Sequence, residues 1–90
     1  MGVLKHITHT TAYQIYTGKK FIEKATLQGT GNATLTIYDG TGTDGRVIAV
    51  VGCLANSFSS DDNINEKCVT GVHAVITTGA GLAQAVIYER

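Results

Sequence analysis

Apolar residues recur at every second position through short stretches of this chain, and glycine-rich or polar turns separate the stretches. The cleanest case is residues 33–38, where Ala33, Leu35 and Ile37 alternate with Thr34, Thr36 and Tyr38. A period of two is the mark of a strand with one face buried. The same pattern returns at 72–77, with Val72, Ala74 and Ile76 against His73, Val75 and Thr77, and again at 83–88. Residues 21–28 also read as a strand, although Glu23 interrupts a face built from Phe21, Ala25 and Leu27. Residues 46–51 are apolar on both sides, with Val47, Ala49 and Val51 opposite Ile48 and Val50, so both sides should be covered, by the fold or by a partner. A further short strand is expected at 66–69. No window sustains a helical period.

Two stretches echo each other. Residues 29–39 and 79–89 both spell G-x-G-x-A-x-x-x-I-Y-acid, and each follows a strand-like run. The repeat predicts a strand, a Gly-x-Gly turn and a second strand, read as a tight hairpin whose glycines supply positive φ. About eight short strands with turn signals every eight to twelve residues predict an all-β, antiparallel, jelly-roll-like β-sandwich. The faces Ala33/Leu35/Ile37 and Ala83/Ala85/Ile87 should pack against each other. Residues 1–17 are Thr-rich and two-sided, and read as an edge strand or an arm that orders against a neighbour, leaving 18–90 as the sandwich domain. On the arm reading, removing 1–17 leaves the sandwich folded.

Ninety residues make one domain. Hydrophobic residues are 43%, enough for a core, whereas charged residues are 16% against the roughly 25% usual for soluble domains. Thr and Gly fill the gap. A hydroxyl-clad surface suits a module packed against other subunits; a simple preference of Thr for strands accounts for it equally. Seven basic and seven acidic residues give a net charge of +0, which argues against nucleic acid as a partner. No apolar run is long enough to cross a bilayer as a helix, and no signal peptide is expected at the N-terminus. Cys53 and Cys68 allow one bridge, but without a secretory signal two thiols are expected.

Candidate chemistry is thin. The segment 39–45 has aspartates, glycines and hydroxyls, but Thr41 and Thr43 stand where a calcium cage would place acids, so a plain turn is expected. Asp61 and Asp62 are adjacent in a polar loop, a poor arrangement for a catalytic pair. His6, His9 and His73 have no partner by motif, and no nucleophile elbow occurs. We expect no catalytic residue, no metal and no cofactor. The candidate contact residues are Tyr13 and Tyr16, large area at little entropy cost, and Phe58, a lone aromatic in a Ser/Asn loop that reads first as a plug over the core and second as a contact.

The run Ala33-Thr34-Leu35-Thr36-Ile37-Tyr38-Asp39-Gly40-Thr41, followed by Gly45-Arg46-Val47-Ile48-Ala49, resembles small all-β virion proteins of tailed bacteriophages. Gly18-Lys19-Lys20-Phe21 before it and Thr70-Gly71-Val72-His73-Ala74-Val75 after it extend the likeness from Gly18 onward. The resemblance implies a capsid decoration (cement) protein or another virion component, assembled in the host cytoplasm, with the major capsid protein or other virion proteins as partners. It implies a homo-oligomer, a trimer by default because head lattices offer three-fold sites. The alternative reading is a receptor- or glycan-binding module of a tail fibre or surface protein, which would gather Phe58, Tyr13 or Tyr16 into an exposed aromatic cluster.

Overall fold

The computed structural model describes residues 2–8, 12–78 and 82–90. These form nine strands: β1 (Gly2–Thr8), β2 (Ala12–Thr17), β3 (Lys20–Gly29), β4 (Ala33–Asp39), β5 (Arg46–Cys53), β6 (Ser57–Asp61), β7 (Glu66–Cys68), β8 (Gly71–Thr78) and β9 (Ala83–Glu89). One sheet has the order β1-β9-β3-β6, with β7 also on β3; the other has the order β2-β8-β4-β5. All pairings are antiparallel. Strands that alternate between two four-stranded orders in this way form a jelly roll. β6 and β7 are two pieces of one broken edge beside β3.

The alternation read from the sequence sets the core. Leu35 and Ile37 on β4 and Ile87 on β9 have no exposed surface, and Ala33, Ala83 and Ala85 are buried in the same two rows, β4 packing across the sandwich on β3 and β9 on β8. Ile22, Leu27, Val72 and Ile76 fill the space between. Glu23, which breaks the alternation on β3, lies at a shift of register between Ile22 and Lys24. The extra residue of that bulge lets Ile22 and Ala25 both point inward. The inward face of β3 is therefore Ile22, Ala25 and Leu27, while half-buried Phe21 lies under the guanidinium of Arg90 at 4.1 Å.

The duplicated stretches are not hairpins. β3 and β4 belong to different sheets, and so do β8 and β9. Each copy is a corner that supplies one strand to each sheet, and the copies pair crosswise, β3 with β9 and β4 with β8. Thr30 and Leu82, one in each corner, hold the two together: the Thr30 amide donates to the Leu82 carbonyl at 2.9 Å, and the Leu82 amide donates to Thr30 Oγ1 at 2.9 Å. Positive φ is not what Gly29 provides, since Gly18 is the one described glycine with that conformation. A Cβ at Gly29 would instead lie 2.8 Å from the Gly31 carbonyl, so glycine permits the tight change of sheet. Gly79 and Gly81, the corresponding pair, lie outside the described residues.

Residues 2–8 and 12–17 supply one edge strand to each sheet, β1 on β9 and β2 on β8. Ile7 is in the core and Tyr13 packs against it. Cutting away 1–17 would take Ile7 out of the core and both edge strands off their sheets.

Candidate interaction surface

The strands run between two poles. At one lie the connections β2–β3, β4–β5 and β7–β8 and the end of β9; at the other lie β3–β4 (30–32), β5–β6 (54–56) and Leu82 before β9. Charge is divided between them unevenly. In the first sheet the row Lys5, Ile87, Ala25, Asp61 is the last to carry an ionised side chain. In the second sheet the corresponding row is Arg46, Asp39, Val72. Among the described residues, no Asp, Glu, Lys or Arg lies beyond these rows.

At the charged pole the side chains occupy one another. The Asp39 carboxylate accepts the amides of Thr70 at 2.9 Å, Val69 at 3.0 Å and Gly71 at 3.4 Å, with Arg46 Nη2 at 3.7 Å. Burial pushes this carboxyl up, but the three amides and the guanidinium outweigh it and hold its pKa below the ordinary 3.8. Arg46 also reaches Glu66 at 3.5 Å, and Lys20 pairs with Glu89 at 3.1 Å. Lys20 covers the ring of Tyr16 at 4.2 Å and Lys24 that of Tyr88 at 5.2 Å. Asp39 thus serves as a clasp between β4 and the turn before β8.

The neutral pole presents Leu54, Phe58 and Leu82, exposed by 72%, 62% and 61%. Two shallow hollows flank them. One of about 440 Å³ lies over Gly52 and is bounded by Leu54, Thr34 and Thr77. The other, about 480 Å³, lies between Phe58, Leu82 and the amides Gln28, Asn56 and Gln84. Running from this pole, the outer face of the β2-β8-β4-β5 sheet is a grid without charge. Its rows are Gln14, His73, Tyr38, Val47; then Ala12, Val75, Thr36, Val50; then Thr77, Thr34, Gly52. Val47 and Val50 are half-exposed or more: the register shift at Ile48 turns Val47 outward, away from the side of Ala49 and Val51 expected for it, while Ile48 packs against the core.

The candidate residues are not gathered together. Tyr13 is half-buried on β2, its hydroxyl donating to the Thr8 carbonyl at 3.2 Å. Tyr16 ends the same strand at the charged pole. Phe58 lies on β6, on the other sheet and at the other pole, exposed and not a plug over the core. His6 contacts Gln84 at 3.3 Å on one outer face, and His73 contacts Gln14 at 2.9 Å on the other. His9 lies outside the described residues. Asp61 accepts the Asn63 amide and Asp62 pairs with Lys24 at 3.7 Å. Cys53 is half-exposed near the neutral pole opposite Ala33, whereas Cys68 is buried at the charged pole opposite Lys20. The length of β4, about 20 Å, separates them, well past the roughly 7 Å limit for a disulfide. Both are free thiols. Burial, and then the nearby Asp39, push the Cys68 thiol up to about 11.

Leu54 and Leu82 carry no signal in the pattern of the sequence, whereas Val50 stands on a side of 46–51 for which the alternation asks a cover. The usable signal was the distribution of charge: residues 6–18, 25–38, 47–60 and 68–88 contain none, and the fold stacks the charged intervals at one pole.

No protein-family model matches the sequence, and no curated protein matches it. Solved structures do resemble the fold. The crystal structure of PirA has a TM-score of 0.57 at 13% identity, covering 96% of this chain and 92% of that one. The Drosophila NLP-core, described in terms of pentamer formation and histone binding, has a TM-score of 0.57 at 18% identity, with 96% of each chain covered. A protein of Bacillus endospore appendages, described as disulfide-linked pili, has a TM-score of 0.50 at 19% identity over 94% of this chain and 83% of that one. The likeness is one of fold.

Proposed function

We propose that this chain is a non-catalytic structural protein of a virion, a decoration protein that lies on the outside of a phage head and ties neighbouring shell subunits together. The observation that carries this reading is the charge-free outer face of the β2-β8-β4-β5 sheet with Val47 and Val50 exposed. A flat neutral face can be buried against a shell without stripping water from ions, the dominant penalty in polar interfaces. The strand-and-turn likeness to phage virion proteins supports the virion setting. The descriptions of two fold neighbours, one pentamer-forming and one a pilus component, support a role in assembly. The function is mechanical, and the side chains work by fit.

The test is rebinding to heads stripped of decoration protein. Wild type is expected to co-sediment with the heads and raise the temperature at which they release DNA. Val50→Lys, which places a charge in the middle of the grid, is expected to abolish binding while the protein stays folded. Binding unaffected by Val50→Lys would move the contact off this face.

A second reading has its own support. The hollow beside Phe58 combines an aromatic ring with the amides of Gln28, Asn56 and Gln84, groups suited to a sugar. It makes the chain a glycan-binding module of a tail fibre or surface protein. A glycan array gives the decision: signal lost in Phe58→Ala favours this reading, and silence together with head binding favours the first.

A further inference from the structure

The neutral pole adjoins the face assigned to the shell at the hollow over Gly52, and its three protruding side chains, Leu54, Phe58 and Leu82, lie beyond the rows of that face. We infer that copies of this chain bind one another through the neutral pole, Leu54, Phe58 and Leu82 of one copy meeting the same region of the next.

The occupant follows from charge and area. Contact with the charged pole of another copy would bury Asp39, Arg46, Lys20 and Glu89, which already satisfy one another, and would desolvate them without new partners. Neutral pole against neutral pole buries apolar side chains and, among the described residues, no Asp, Glu, Lys or Arg. The surface is also self-complementary, because Leu54 and Phe58 each stand beside a hollow that a protruding side chain of another copy can enter. Such a contact is closed by a two-fold or three-fold axis, with the charged poles pointing away.

Size sets the strength. The molecule measures 33 × 25 × 17 Å, and β3, ten residues long, spans the longest dimension, so the pole is a patch of at most 25 × 17 Å. That is about half of the roughly 800 Å² each partner buries in a stable complex. The contact is therefore weak and reversible for free protein. With the grid face on a shell, the strand axes lie along the shell and the poles point sideways, towards the axis between neighbouring copies. This last step rests on the decoration reading; the contact in solution does not. Held side by side, copies experience an effective concentration on the order of millimolar, enough to close a weak contact.

The experiment is sedimentation velocity on the wild-type chain from about 10 µM to about 1 mM, the range in which a sub-standard interface saturates. Wild type is expected to shift reversibly from monomer to dimer or trimer. Phe58→Lys is expected to weaken association at least about tenfold, because it puts a charge in the middle of the contact. Lys67→Glu, at the other pole, is expected to leave association unchanged. Far-ultraviolet circular dichroism and melting temperature check that each variant is folded. A nitroxide on native Cys53 adds a distance readout. Labels in the oligomer are expected within one molecular length, 33 Å, whereas association through the charged poles places them near twice that. A monomer at every concentration, association sensitive to Lys67→Glu and not to Phe58→Lys, or label distances near two lengths would each overturn the inference. Head rebinding is scored separately, so failure of one result does not decide the other.

Discussion

The two poles close opposite ends of the same pair of sheets, yet they are opposites in how their side chains are used. At the charged pole each aromatic ring has a cation over or beside it, and each of Asp39, Arg46, Lys20 and Glu89 has a partner in the chain. At the neutral pole the backbone is fastened by Thr30, Leu82 and Asn32, but Leu54, Phe58 and Leu82 point into solvent with no ring or ion against them among the described residues. One pole spends its chemistry on holding the sandwich shut. The other leaves its apolar surface for something else. If copies bind one another through the neutral pole, stability and recognition are separable by mutation.

The core between the poles sets the scale for testing that separation. Ile37→Ala is expected to cost about 2–5 kcal/mol in urea denaturation, whereas Thr36→Ala, its outward neighbour, should stay within about 0.5 kcal/mol. Equal losses would mean that the facing of β4 is reversed. At the charged pole, Asp39→Ala removes the acceptor of three amides and is expected to cost about 2–3 kcal/mol. The effect depends on pH in a defined direction. The folded-state pKa of Asp39 lies below 3.8, so its contribution is complete above that value and is lost as pH falls through the lower folded value. Acid titrations of wild type and Asp39→Asn should therefore converge in that window; curves that remain parallel would remove Asp39 from the clasp.

Gly71→Ala, beside it, would put a Cβ 2.7 Å from the Tyr16 carbonyl and 2.9 Å from that of Gly40, and is expected to cost about 1–3 kcal/mol. At the neutral pole, Leu82→Ser and Phe58→Ser should change stability by no more than about 0.5 kcal/mol. A large loss at either would make that pole structural and end the contrast. The smallest effect is chemical: iodoacetamide on native protein should modify Cys53 and spare Cys68, as read by mass spectrometry, because Cys68 is buried and its thiolate is disfavoured.

The alternation at Ala33/Leu35/Ile37 and Ala83/Ala85/Ile87 was enough to place two strands and the side of each that enters the core, because burial of one face dictates a period of two. The sandwich class followed from the spacing of turns. What a linear reading missed was which strands bond. A Gly-x-Gly turn serves a hairpin and a corner equally well, and only the crosswise pairing of β3 with β9 decides between them. The bulge at Glu23 was visible as a broken alternation but not as its resolution. An aromatic among serines and asparagines looks like an anchor over the core; the register that turns Phe58 outward, opposite Gln28, is set by a strand thirty residues earlier.

The pairing of β1 with β9 joins residues 2–8 to residues 84–89. The first strand emerges from the ribosome with no neighbour and stays unpaired until the last has been translated. Sheet closure is thus a late event governed by the most distant pairing in the chain, and refolding is expected on the millisecond-to-second scale of non-local β topologies rather than in microseconds. Until then β9 is missing from between β1 and β3, and the half-made sheet is open to capture by other nascent chains.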